Sequence, residues 1–117
     1  MSKFEKIEDI IAWQKSRTLV YDIYLEFKNC RDFGFRDQIQ RASISVMNNI
    51  AEGYERKGNK EFMKFLYISK GSCAEVRSML YVGMDLEYIK KEQFENLYKQ
   101  TMEISKMLSS LIKALCL

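Results

Sequence analysis

The sequence predicts an all-α protein, an antiparallel up-down-up-down four-helix bundle folded as one domain over residues 1–117. Three observations point there. The chain has no proline and only five glycines, so little in it breaks a helix. Its apolar residues recur at three- and four-residue steps, the period of one helix face. The segments that carry this period are joined by short polar links, which force neighbouring helices antiparallel. With 117 residues, 47% of them apolar and 30% charged, the chain can bury one core and lacks the composition of a disordered protein.

From Asp9, read as an N-cap, Ile10, Trp13, Val20, Ile23, Tyr24 and Phe27 mark the apolar face of a first helix over about residues 9–29. Trp13 is read as a core residue. Asp32 and Gly34 interrupt the pattern as turn residues. A second helix is predicted over about 35–54 with two apolar stripes, one of Ile39, Ala42, Val46 and Ile50, the other of Ile44, Met47, Ala51 and Tyr54. Two stripes on one helix imply two covered sides, so Ile44, Met47, Ala51 and Tyr54 are expected to face another subunit. Gly58-Asn59 is the stop-and-start signal for a third helix over about 59–86, with Asn59 as its N-cap. Phe94, Leu97, Thr101, Ile104, Leu108, Leu111 and Leu115 then keep a 3-4 alternation through a fourth helix over about 92–114, as a bundle seam requires.

The composition excludes several chemistries. Histidine is absent, which removes di-iron sites built on Glu-x-x-His pairs, histidine-ligated haem, and nucleophiles that use imidazole as base. Cys30, Cys73 and Cys116 are odd in number and contain no C-x-x-C spacing, so neither a disulfide framework nor a zinc site is indicated, and a reducing cytoplasm fits. No phosphate-cradling glycine loop follows a strand. No apolar run is long enough to span a membrane. Glu52 with Glu61 or Glu75 could act as an acid-base pair, but helix carboxylates are more often structural partners of cations such as Arg41. No enzymatic activity, cofactor or metal is therefore expected.

Two basic features remain. Lys99, Lys106 and Lys113 repeat every seven residues along the fourth helix and read as a solvated face. Arg56, Lys57, Lys60 and Lys64 instead cluster around the second connection and the first turn of the third helix. A loop and helix start can offer side-chain cations and free backbone N–H groups together, a surface suited to phosphate. The net charge of +3 is modest, and a ring of identical subunits would multiply it.

Trp13-Gln14, Gln38, Arg41-Ala42, Ser45, "NIAEGY" from Asn49, "KEFMKFL" from Lys60 and "GSCAE" from Gly71 together resemble the four-helix-bundle family named for proteins encoded in 23S rRNA intervening sequences. The resemblance covers nearly the whole chain. It implies a small antiparallel bundle that assembles into homopentamers, with no established enzymatic activity. A related branch, the accessory variability proteins of diversity-generating retroelements, implies binding of RNA or DNA and of a reverse transcriptase. Arg41, Asn49, Glu52 and Glu75 become a structural polar signature under this resemblance, with Gly53 permitting a close helix approach. Four positions depart from the pattern: Met47-Asn48 stands where many relatives have Pro-Ser, Arg77 where many have a second acid, and Glu87 where a Leu-Gly-Tyr helix ending has its glycine. The competing reading is a protein-protein interaction scaffold with no nucleic-acid role.

Overall fold

The computed structural model describes residues 4–116. A 3-10 turn over Ile7–Asp9 precedes four helices, α1 (Ile11–Phe27), α2 (Phe33–Glu55), α3 (Asn59–Asp85) and α4 (Lys91–Leu115). Each helix packs on its neighbours in chain order, and α4 closes back onto α1. That is the predicted up-down-up-down bundle, 45 × 20 × 19 Å in extent. None of its helices is long and apolar enough to cross a membrane.

The core runs the full length of the bundle. Leu19, Ile23 and Phe27 of α1 meet Ile39, Val46 and Ile50 of α2, Leu66, Val76 and Leu80 of α3, and Leu97, Ile104 and Leu108 of α4, all fully buried. Burying one such side chain contributes roughly 1.5–3 kcal/mol. Polar groups inside are all answered. Ser16, Ser43, Ser69 and Thr101 are fully buried, and each hydroxyl donates to a carbonyl at 2.6–2.7 Å: Ser16 to Ala12, Ser43 to Gln40, Ser69 to Val46 across the α2–α3 seam, and Thr101 to Tyr98. The Cys73 thiol donates to the Thr101 carbonyl at 3.2 Å, and burial pushes its pKa up to about 11.

Helix α1 departs from its predicted phase. Its buried positions are Ala12, Ser16, Leu19, Ile23 and Phe27, whereas Tyr24 is exposed and Trp13 only half-buried, packed on the outside of the core. Two of the buried positions are small, and weighting by hydrophobicity overlooks them. Asp9 is not the N-cap. It lies in the 3-10 turn, where its carboxylate accepts from the Glu5 N–H at 3.1 Å, and Ile10 holds the cap position. Asp32, expected in a turn, caps α2 by accepting from the Phe35 N–H at 3.2 Å, so the helix begins at Phe33.

Helix α3 ends in a Schellman motif, with Tyr88 N–H donating to the Gly83 carbonyl at 2.8 Å and Glu87 N–H to the Met84 carbonyl at 3.0 Å. Glu87 therefore sits at φ 60°, the left-handed conformation in which glycine is favoured. The missing glycine of the Leu-Gly-Tyr ending is thus a strained position rather than a different turn. Beyond it, the Gln93 side chain accepts from the Lys90 N–H at 3.0 Å and starts α4.

Candidate nucleic-acid interface

The α2–α3 turn is built by two backbone choices. Arg56 leaves the helix in extended conformation, and Gly58 takes φ 97°, accessible to glycine without strain. Gly58, not Asn59, holds the N-cap position of α3, and no side chain caps the first turn. The N–H groups there are consequently not answered by any capping side chain.

Immediately before the turn, α2 and α3 pass unusually close at Gly53. A Cβ at this position would stand 2.6 Å from the Phe65 Cβ and 3.1 Å from Phe62 Cδ1, too near for any side chain without moving a helix. This explains why the glycine of "NIAEGY" and the two phenylalanines of "KEFMKFL" belong to one pattern: one is the gap and the others fill it.

Phe65, set in that gap, organises the cations. The Arg56 guanidinium lies over its ring at 4.9 Å and Lys64 Nζ approaches at 6.0 Å, within cation–π range. Arg56 also donates to Glu52 at 2.8 Å, a hydrogen bond that raises its pKa above the ordinary arginine value. Lys57, Lys60 and Lys64 are exposed, and among the described residues they form no ion pair. The cluster thus contains three lysines without an ion pair and one arginine that is already paired.

Behind the turn is a cavity of about 300 Å³. Phe4, Tyr54 and Phe62 supply its aromatic walls, Leu111 and Leu115 its α4 side, and Arg56, Gly58 and Asn59 its border with the turn. The rings meet edge to face, Phe4 with Tyr54 at 6.4 Å and Tyr54 with Phe62 at 6.1 Å, and the Tyr54 hydroxyl donates to the Phe4 carbonyl at 2.7 Å. Sequence reading missed this cavity because Phe4 precedes every helix, and no periodicity connects it to Tyr54.

Members of the polar signature do separate tasks. Asn49 Nδ2 donates to the Ser45 carbonyl at 2.8 Å and to Ser45 Oγ at 2.9 Å, and Ser45 Oγ meets Ser72 Oγ of α3 at 2.7 Å. Gln38 donates to Glu75 at 3.2 Å across the same seam. Glu52 is committed to Arg56, so Glu52 and Glu75 are each held by a different partner. Arg41 is exposed and forms no ion pair among the described residues; it borders a surface hollow with Tyr24, Asp37 and Ile44.

Ile44, Met47, Ala51 and Tyr54 are all half-buried within the single chain. Tyr54 is covered by Phe4, and its ring belongs to the cavity. Larger apolar exposure lies elsewhere: Tyr21 (67%), Tyr24 and Leu25 on α1, and Tyr67 (59%), Ile68, Tyr81 and Val82 on α3. Tyr67 follows Lys64 by three residues and so lies one turn further along the same face. Lys99, Lys106 and Lys113 are exposed on α4.

Four antiparallel helices, with exposed lysines gathered at one end and an aromatic cavity beneath them, define a small helical-bundle module. The family model for 23S rRNA-intervening sequence proteins matches residues 8–110, and the chain belongs to that family. It is also similar to a crystal structure from Bacteroides thetaiotaomicron VPI-5482, described as a protein of unknown function from the S23 ribosomal protein family. The two share 28% identity and a TM-score of 0.83, over 87% of this chain and 98% of the other. No curated protein matches the chain.

Proposed function

We propose that this protein is a non-enzymatic, oligomeric nucleic-acid-binding protein of the cytoplasm whose cluster of Arg56, Lys57, Lys60 and Lys64 receives phosphates. One observation carries the reading: three exposed lysines without acid partners share one end of the bundle with an uncapped helix start. Membership in a family named for an rRNA element supports it. Assembly strengthens it, because five copies at +3 each carry +15, enough to attract a polyanion that a single copy would hold weakly. A homopentamer acting as accessory to an RNA or reverse-transcription machinery is the form we favour.

Salt titration tests this directly. If about six phosphates are neutralised, log affinity for a single strand falls with log salt at a slope near −4, from about −0.7 per phosphate. Replacing the four cations with glutamine flattens that slope and leaves the melting temperature nearly unchanged, since exposed charges contribute little to folding. Replacing Lys99, Lys106 and Lys113 is the control and has the smaller effect. A wild type that binds neither RNA nor DNA at low ionic strength would return the protein to the scaffold reading. That second reading has its own support in the apolar exposure on α1 and α3, and sedimentation decides whether the same surface is consumed by self-assembly.

A further inference from the structure

The lysines do not stand on a flat surface. The turn that carries Arg56 also borders the aromatic cavity of about 300 Å³, at the lower end of the roughly 300–1,000 Å³ typical of small-ligand sites. Such a volume suits one planar ring system. Phe4, Tyr54 and Phe62 line it with π-surface, and every nucleobase has a π-face to offer in return. The side chain of Asn59, which also lines the cavity, forms no hydrogen bond among the described residues, so its carboxamide has a donor and an acceptor available for the edge of a base.

We infer that this end of the bundle binds single-stranded nucleic acid by inserting one unpaired base into the cavity walled by Phe4, Tyr54 and Phe62, while Lys57, Lys60 and Lys64 hold the flanking phosphates. The inference rests on the nucleic-acid reading above and specifies the form of the ligand. Bases in a duplex are stacked and paired, and entry would require extruding one at a cost in stacking and pairing. An unpaired strand has no such barrier. Little dependence on sequence is expected from stacking, with any preference coming from Asn59.

Three ligands of equal length separate the alternatives in a salt-controlled binding titration of the full chain: a single-stranded DNA oligomer, the same sequence as a duplex, and an abasic strand that keeps the phosphates but lacks bases. The intact single strand is expected to bind about tenfold more tightly than the abasic one, from the typical gain of stacking one base, and more tightly than the duplex. Leu111→Trp, which fills the cavity without replacing a cation, is expected to abolish both preferences and keep the salt slope. In the wild type, the methyl resonances of Leu111 and Leu115 are expected to shift on adding the single strand and to stay in place with the abasic strand; this measurement decides the matter should the variant not fold. Equal binding of all three ligands, or unmoved methyls in a saturated complex, overturns base insertion and leaves the phosphate reading intact. Failure of every ligand to bind overturns both.

Discussion

The two ends of the bundle contrast in how their turns are closed. At one end the α1–α2 and α3–α4 connections are latched together: the Tyr88 hydroxyl donates to Asp32 at 2.7 Å, and Phe35 packs on Phe27 at 5.7 Å and on Tyr88 at 5.2 Å. Gly83 lies beneath these rings, its position within 3.5 Å of both Phe35 and Phe27 for any added Cβ. At the other end the α2–α3 turn is polar, uncapped and cationic, and a cavity lies beneath it. Aromatic rings occur at both ends. At both ends they pack against each other; at the α1–α2 and α3–α4 end they also press on the turns, whereas at the α2–α3 end they also wall a cavity. The difference teaches that a bundle can seal one end by latching its turns together while the other end keeps a polar turn over a cavity.

The contrast breaks most severely at Gly53. Gly53→Ala puts a methyl where Phe65 already stands, so α2 and α3 must separate, and overpacking of this kind costs about 1–3 kcal/mol. Urea denaturation should show the loss, and nucleic-acid affinity should fall with it, because Phe65 holds Arg56 and Lys64 in place. A smaller effect, opposite in sign, is expected at the latched end. Glu87→Gly relieves a left-handed residue and raises stability by about 1 kcal/mol in the same experiment. Binding should not change, since Glu87 lies in the turn at the far end.

The smallest effect belongs to the latch itself. The Tyr88 hydrogen bond, with the Phe35 N–H second, holds the Asp32 carboxyl below its ordinary pKa. A depressed carboxylate contributes stability above its unfolded pKa and loses it as pH falls through the lower folded value. Tyr88→Phe should therefore lower stability slightly at neutral pH. The gap between variant and wild type should close as the solution is acidified below the normal aspartate range, as followed by thermal melts at several pH values.

Much of this architecture was legible before any coordinates, because four long segments with a 3-4 apolar period and no proline leave few alternatives. The boundaries of α3 and α4 fall within a residue of their predicted positions, since Gly58 and the polar run before Phe94 are strong local signals. Helix α1 was harder. Its buried face includes Ala12 and Ser16, and burial of Ser16 depends on its hydroxyl reaching the Ala12 carbonyl, a bond that residue type does not announce. The cation cluster was visible as composition. What was hidden is its coupling to Phe65 and to the cavity, which depends on Phe4 and Tyr54 meeting across 50 positions of chain. The neutralisation of Arg56 by Glu52 was hidden only partly, since an acid four residues before an arginine on a helix is a recognised pair.

The close passage of α2 and α3 at Gly53 also bears on how the molecule opens and forms. The α2–α3 pair packs most densely and the α1–α4 pair most sparsely. Two consecutive helices joined by a tight turn find each other with little loop-closure entropy, whereas α1 and α4 lie at opposite ends of the chain and must close the longest loop. The α2–α3 hairpin is then the natural nucleus, and the α1–α4 seam is the last to zip and the first to part. Phe4 and Leu111 stand on that late-forming seam. Brief separations there would widen the cavity and leave the α2–α3 hairpin paired, so amide exchange in the first turns of α1 and the last turns of α4 should run faster than in the α2–α3 seam.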